Sequence, residues 1–302
     1  MPRPRILVVH RRSTFTTLVS ERRLASVSRL VKAGDPLVAN MLLAHERHVA
    51  SLARVRQELK ARGVRGTFRH HLDGLDPDAF DLVVTVGGDG TVLHASHAID
   101  DTPVLSVNSA PETSVGYFAA ATAENFGEVL DLWLGGGLKP LRLHRMEVRL
   151  NGDLVTERVL NDVLLCHECP ASTSRYVLCH KGDEEPQLSS GVWVATAAGS
   201  TAAIRSAGGR VMPVGSQRLE FAVREPFPSG GASELVFPRH MRGFVEVGES
   251  LVIRSKTAAA CLYVDGPHEV FKVHFGDVVT FKGSKRPLWL VGRRRRRGTD
   301  FP

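Results

Sequence analysis

The chain has 302 residues, of which 43% are hydrophobic and 24% charged, the values of a globular protein with room for two domains. No apolar run approaches the ~20 residues of a membrane span, and four cysteines are too few for a disulfide framework. The first apolar strand leaves no room for a targeting peptide, so we expect a protein of the cytoplasm without a membrane partner. The net charge of +7 includes the arginine run 293–297, which we expect to be a solvated tail, with anion attraction as the alternative; we expect no nucleic-acid partner.

The chain up to about residue 125 alternates between strand-like and helix-like segments. Strands are predicted at 5–10, 65–69, 82–86 and 104–107, and helices near 20–33, from Asp35-Pro36 to Gly63, and after Thr91. This alternation predicts a parallel sheet with helices on its faces. Such sheets bind ligands beyond the carboxyl ends of their strands.

The pattern changes at about Leu141, where short alternating apolar runs begin. The run at 146–150 is followed by Asn151-Gly152, a hairpin signal, so we expect mostly antiparallel strands in the second half, with one helix-like interruption near Ser200. Glycines at 135–137 and Pro140 mark the predicted boundary between the two parts of the chain. The predicted division is an α/β domain at 1–138, a β-rich domain at 139–285 and a C-terminal segment at 286–302 that contains the basic tail.

The most informative motif is Gly87-Gly88-Asp89-Gly90-Thr91, between the strand 82–86 and a helical pattern. Closely spaced glycines at a strand-to-helix turn let backbone N–H groups face an anion such as phosphate. Asp89 would repel that phosphate unless it binds a metal or takes a proton from the attacking group. The loop therefore indicates phosphoryl transfer onto a hydroxyl; a Gly-rich turn with a purely structural role is the alternative.

Three further segments can each be interpreted in two ways, as part of a binding site or as an ordinary structural feature. The small residues and hydroxyls of 196–203 suit a ligand pressed against a helix start, or an ordinary N-cap. Asn161-Asp162 offers donors and acceptors for two ribose hydroxyls, or forms a turn. Asp265 ends a strand in Tyr263-Val264-Asp265-Gly266 and is a binding or a turn residue.

Other sequence signatures argue against some classes of site. Cys166-His167-Glu168-Cys169 has C-x-x-C spacing, but the remaining cysteines form no second pair, which disfavours structural zinc. A Walker A loop and a G-x-G-x-x-G fingerprint are both absent, which argues against P-loop enzymes and ordinary dehydrogenases.

The ordered set of GGDGT, Asn161-Asp162-Val163, the Gly-Ser-Thr-Ala junction at 199–202 and Val264-Asp265-Gly266 resembles the NAD kinase family, whose members use ATP to phosphorylate the adenosine 2′-hydroxyl of NAD. The resemblance covers nearly the whole chain, and segments 107–116, 189–191 and 223–226 are similar to the mitochondrial-type branch. It implies a Rossmann-like parallel-sheet domain followed by a β-rich, β-sandwich domain. It also implies ATP and NAD as substrates, Mg²⁺ carried by the ATP phosphates rather than by the protein, and a homo-oligomer, at least a dimer.

The same resemblance assigns roles to individual residues. It makes Asp89 the general base, places Tyr117 against adenine, and has Asn161 and Asp162 hold ribose hydroxyls. The other residues that it implies for substrate or nucleotide binding are Gly87, Gly88, Gly90, Thr91, Asn108, Gly199, Ser200, Thr201, Ala202, Ser206 and Asp265.

The sequence also departs from the common family pattern. Asp162 replaces a glutamate, Ala203 a tyrosine, Ser190 an aspartate, and Ala197-Ala198 a Pro-Thr pair. These changes concern contacts to the dinucleotide and leave Asp89 unchanged. Two alternatives stand beside NAD kinase: a lipid or sphingoid-base kinase, which shares GGDGT, and a non-catalytic sensor that binds a dinucleotide.

Overall fold

A computed structural model describes residues 4–228 and 236–292. The chain divides into two compact units, called unit 1 (Met1–Leu141 with Trp289–Pro302) and unit 2 (Arg142–Leu288). The arginine run 293–297 lies outside the described residues. Within them, no helix has both the length and the apolar character that crossing a membrane requires.

The first part of the chain forms strands and helices in alternation. The strands are β1 (Arg5–His10), β2 (Arg65–Arg69), β3 (Leu82–Gly87), β4 (Val104–Asn108), β5 (Ala121–Thr122) and β6 (Pro140–Leu143). The α-helices are α1 (Ala25–Ala33), α2 (Ala39–Ala61), α3 (Asp89–Ser96) and α4 (Phe126–Leu134), and shorter helical turns lie at Thr16–Glu21, Pro36–Val38 and Pro77–Ala79.

Unit 2 consists mainly of strands. They are β7 (Met146–Leu150), β8 (Asp153–Val159), β9 (Asp162–His167), β10 (Ser174–His180), β11 (Asp183–Ser189), β12 (Val192–Ala195), β13 (Leu219–Val223), β14 (Arg242–Val245), β15 (Ser250–Ser255), β16 (Ala260–Val264), β17 (Glu269–Val273) and β18 (Val278–Gly283). A short turn (Ala198–Thr201) and α5 (Ala203–Ser206) follow β12, and β19 (Leu288–Val291) is the last described element.

The first sheet has the order β2-β1-β3-β4-β19-β6, with β5 also beside β4. Strands β1, β2, β3, β4, β5 and β19 pair in parallel. The predicted parallel sheet is therefore confirmed. One face of it packs on α2 and α4 through an apolar cluster that includes Val8, Val84, Val55 and Phe126.

Two details of this sheet differ from the sequence-based expectation. Helix α3 begins at Asp89, so Asp89 and Thr91 belong to the first helical turn instead of a loop that precedes the helix. Strand β19 pairs with β4 in the first sheet, whereas the sequence suggested a separate C-terminal segment from 286. The short apolar run Leu-Trp-Leu-Val of β19 carries no local signal for pairing with β4, a strand from the first half of the chain.

Unit 2 is built from two antiparallel sheets, as predicted for the second half. Their orders are β11-β10-β15-β18-β7-β8 and β14-β13-β12-β9-β16-β17. Side chains from both sheets, such as Val148 and Phe281 from one and Val163 and Phe221 from the other, share one buried cluster. The arrangement is a β-sandwich, with the alternate residues of each strand facing the core. The predicted hairpin at Asn151-Gly152 joins β7 to β8.

Candidate active site

Asp89 stands where β3 ends and α3 begins, at the carboxyl edge of the first sheet. Its Oδ2 accepts the Tyr117 N–H at 3.0 Å and its Oδ1 accepts the Phe118 N–H at 2.9 Å. The carboxylate thus holds the loop around 116–118 against the helix start. Because a carboxylate offers about four acceptor positions, Asp89 keeps capacity for one more donor, such as a substrate hydroxyl.

Asn108, the last residue of β4, organises the same loop. Its Nδ2 donates to the Ser114 carbonyl at 3.0 Å, and its Oδ1 accepts the Ala110 N–H at 3.2 Å. Gly116 has φ of 61° and lies against the Asn108 side chain, so a Cβ would both strain the backbone and overlap the amide. Asn108 is buried, and in this structure it shapes the loop that Asp89 holds.

The other residues of the GGDGT motif differ in exposure. Gly87 and Thr91 are buried, Gly88 is half-buried, and Gly90 is exposed on the first turn of α3. The Thr91 hydroxyl is buried without a hydrogen-bond partner among the described residues. Tyr117 is half-buried and packs edge-to-face on Phe118, with 5.2 Å between ring centroids.

In unit 2 a second aspartate also binds backbone N–H groups. Asp265 follows β16, and its carboxylate accepts the N–H groups of Leu160 at 2.8 Å, Asn161 at 2.7 Å and Asp162 at 3.0 Å. Asp265 itself has φ of 47°, a conformation that is uncommon outside glycine. Its observed role is to fix the backbone of 160–162, and through it the side chains of Asn161 and Asp162.

The two side chains that Asp265 positions are chemically distinctive. The Asn161 Oδ1 is buried and accepts no hydrogen bond from any described residue. Burial, and secondly the nearby charge of Asp265, raise the pKa of Asp162 to about 7. A buried orphan acceptor is costly to keep, so this segment has the character of a site that a polar ligand completes.

The junction after β12 packs directly on this segment. Gly199 lies so close to Asn161 that a Cβ would overlap the Asn161 carbonyl. The Asn161 carbonyl accepts the Thr196 N–H at 2.9 Å, and the Thr196 hydroxyl donates to the Leu160 carbonyl. Gly199 is thus required for close backbone approach, and Thr196, the first residue of the predicted segment 196–203, ties the two segments together.

The remaining predicted residues of this junction have different surroundings. Ser200 is fully buried, and its hydroxyl donates to the Ala197 carbonyl at 2.7 Å and accepts the Met212 N–H at 2.9 Å. Thr201 and Ala202 are half-buried, while Ser206 is exposed. Ser200 therefore supports the junction from inside, whereas the other three can be reached from solvent.

A cavity of about 340 Å³ lies on unit 2 beside Ser190, Trp193, Arg224 and Tyr263. The Cys-His-Glu-Cys segment 166–169 also lines it, and both of its cysteines are free thiols. Among residues 4–228 and 236–292, no three His, Cys, Asp or Glu side chains are grouped in a way that could hold a metal ion.

Comparisons with known proteins identify the family. A family model described as the ATP-NAD kinase N-terminal domain matches residues 6–137. A probable NADH kinase from Oryza sativa subsp. japonica is 39% identical over 233 residues, 70% of each chain. An NAD kinase from Methanothermobacter thermautotrophicus is 28% identical over 217 residues, 70% of this chain and 71% of the relative.

Solved structures share the fold. The crystal structure of an NAD kinase from Archaeoglobus fulgidus in complex with ATP matches with a TM-score of 0.68 at 20% identity, over 97% of this chain and 95% of that one. Yeast NADH kinase complexed with NADH matches with a TM-score of 0.62 at 17% identity, over 97% and 84%. With the ordered motifs and the 39% identity to a plant relative, these findings show that the chain belongs to the NAD kinase family of enzymes.

Proposed function

We propose that this enzyme transfers the γ-phosphoryl group of ATP to the adenosine 2′-hydroxyl of NAD. The observation that carries the proposal is Asp89, a carboxylate held at the carboxyl edge of a parallel sheet, inside a glycine-rich motif that suits phosphate. Family membership supports the same reaction. Asp265, Asn161 and the other unit 2 residues described above are the proposed dinucleotide contacts and their support.

The proposed chemical step is an in-line displacement at the γ-phosphorus. The 2′-oxygen forms a bond to phosphorus while the bond between phosphorus and the β,γ-bridging oxygen breaks, and ADP leaves with that electron pair. Asp89 takes the proton of the 2′-hydroxyl as the new bond forms. Mg²⁺ arrives with ATP as part of the substrate and supplies counter-charge on its phosphates.

The acceptor nucleotide is proposed as NAD, with the reduced form as a second acceptor. Two plant relatives named NADH kinase, from Oryza sativa and Arabidopsis thaliana, are each 39% identical to this chain, compared with 28% for the archaeal NAD kinase. Ala203 is exposed where the common pattern has tyrosine, which would change the contact surface for the dinucleotide. Rates with NAD⁺ and NADH should therefore be measured side by side.

The test uses the purified full chain with ATP, Mg²⁺ and either acceptor, with NADP⁺ or NADPH measured by enzymatic cycling. We expect product from the native chain and a loss of at least a hundredfold in kcat for Asp89→Asn. Binding of NAD⁺ without turnover would favour the dinucleotide sensor. Phosphorylation of a sphingoid base in place of NAD⁺ would favour the lipid kinase. Light scattering on the same sample tests the expected homo-oligomer.

A further inference from the structure

Arg11 places a guanidinium group against the GGDGT motif. It follows β1 at the carboxyl edge of the first sheet, in unit 1. A Cβ built on Gly90 would lie 2.8 Å from the Arg11 Nη1 and 3.9 Å from its Cζ. The cation therefore lies over the backbone of the second residue of α3, at the only position of the motif that is exposed.

Among residues 4–228 and 236–292, this guanidinium has no carboxylate partner. Arg11 is exposed, and no described carboxylate forms an ion pair with it, whereas its neighbour Arg12 pairs with Glu21 at 2.8 Å. Asp89, the acidic residue of the motif, binds the Tyr117 and Phe118 N–H groups with its two oxygens. A positive charge is thus held beside a glycine-rich helix start without a counter-charge from the described part of the chain, which favours an anionic ligand.

The backbone of Arg11 is fixed from inside the unit. The Arg11 carbonyl can only accept, so the Nε2–H of His48 donates to it, at 2.7 Å. The Nδ1 of His48 then accepts from the Ser109 hydroxyl at 3.0 Å. His48 is buried on α2, and burial lowers its pKa, which favours the neutral imidazole; its bond to the Arg11 carbonyl selects the tautomer with the proton on Nε2. One neutral histidine therefore ties the Arg11 backbone to the residue after β4.

We propose that Arg11 is a further catalytic residue, whose guanidinium binds the non-bridging oxygens of the phosphoryl group in transfer. The inference rests on the proposed phosphoryl transfer and adds a protein cation to the counter-charge that Mg²⁺ brings with ATP. Arg11 forms no covalent bond and moves no proton: it neutralises charge while the bond to the 2′-oxygen forms and ADP leaves. The planar, permanently charged guanidinium matches two phosphate oxygens at once.

The experiment compares Arg11→Ala and Arg11→Lys with Arg12→Ala as the matched control. Removal of a donor aimed at developing charge typically costs 10²–10³-fold in kcat, so we expect a loss of about that size for Arg11→Ala. Arg11→Lys should be intermediate, and Arg12→Ala within about twofold of the native chain. The KM for NAD⁺ should change by less than about threefold, and ethylguanidinium added in solution should restore part of the lost rate in Arg11→Ala but none in Asp89→Asn.

Calorimetric titration with tripolyphosphate gives a second measurement that does not depend on turnover. We expect Arg11→Ala to bind it at least about tenfold more weakly than the native chain or Arg12→Ala. A native chain without kinase activity that still shows this difference would overturn the proposed NAD phosphorylation but leave Arg11 as an anion-binding residue. An active native chain with Arg11→Ala within about threefold in kcat, or with Arg12→Ala equally impaired, would overturn the assignment of Arg11.

Discussion

Asp89 in unit 1 and Asp265 in unit 2 each hold a loop through backbone N–H groups, and they do so in different electrostatic settings. Asp89 accepts two backbone N–H groups from the loop around 116–118. Asp265 accepts three, all from 160–162. Asp89 is half-buried and lies in the same motif as Gly90, against which the cationic Arg11 rests. Asp265 neighbours a second carboxylate, Asp162, that is almost completely buried.

The different surroundings of Asp89 and Asp265 suit the two regions to different functions. A region with a half-buried carboxylate, an exposed glycine and a cation that pairs with no described carboxylate suits charge movement on a phosphate group. A region with a buried carboxylate at Asp162 beside the half-buried Asp265, and with an orphan amide oxygen at Asn161, suits recognition of neutral hydroxyl groups, because a hydroxyl supplies the donor that the Asn161 oxygen lacks. Substitutions in the first region should therefore lower kcat, and substitutions in the second should change binding and stability.

Asp89→Asn provides the largest test of this division. The amide cannot take a proton, so we expect kcat to fall by ~10²–10⁴-fold. An amide also has only one acceptor oxygen, so one of the bonds to Tyr117 or Phe118 is lost and the melting temperature should fall by a few degrees, roughly 2–4 °C per kcal/mol.

The control for this variant is Asp73→Asn, an exposed aspartate elsewhere in unit 1. Steady-state kinetics of both variants should show the loss in Asp89→Asn alone, with NAD⁺ affinity changed by less than about tenfold. If Asp89→Asn keeps most of its kcat, then both aspartates only hold loops, and the division fails.

Asn161→Ala and Asp265→Ala should distinguish a residue that contacts the dinucleotide from one that holds the backbone of 160–162 in place. Asn161→Ala removes an orphan acceptor, so we expect a rise of about tenfold in the KM for NAD⁺ with no loss of melting temperature, since an unsatisfied buried group costs ~1–3 kcal/mol. Asp265→Ala strands three N–H donors, so we expect it to lower both NAD⁺ affinity and melting temperature. Kinetics and thermal melts on the pair measure this contrast, and equal destabilisation by the two variants would contradict it.

The sequence predicted the strands and sheets around Asp89 and Asp265 better than the side-chain contacts that these two residues make. The strand ahead of GGDGT, the parallel sheet and the Asn151-Gly152 hairpin follow from local patterns and were recovered. The bond from Asp265 to Leu160 spans 105 positions, and a carboxylate at the end of a strand carries no local sign of such a partner. Arg11 was missed for the same reason, because its relation to Gly90 exists only once β1 and β3 are adjacent.

The raised pKa of Asp162 makes a pH-dependent prediction. An aspartate whose folded pKa lies near 7 is protonated more readily in the folded than in the unfolded chain, so its ionisation destabilises the fold progressively as the pH rises from about 4 to about 7. Asp162→Asn removes that ionisation. We therefore expect its melting temperature, relative to the native chain, to be higher at pH 8 than at pH 4 by at least ~3 °C. A difference that is independent of pH would show that Asp162 ionises normally.

Ala203→Tyr should have the smallest effect, because it adds contact area and removes nothing. Ala203 is exposed at the start of α5, so a tyrosine there meets no buried neighbour and should leave the melting temperature unchanged. If its ring stacks on the bound dinucleotide, an aromatic contact of ~0.5–1.5 kcal/mol corresponds to a two- to tenfold lower KM for NAD⁺ with kcat unchanged. Ala203→Leu is the matched control, since it adds apolar area without an aromatic face. An equal decrease in KM for both variants would indicate apolar burial, and an unchanged KM for both would place the dinucleotide away from α5.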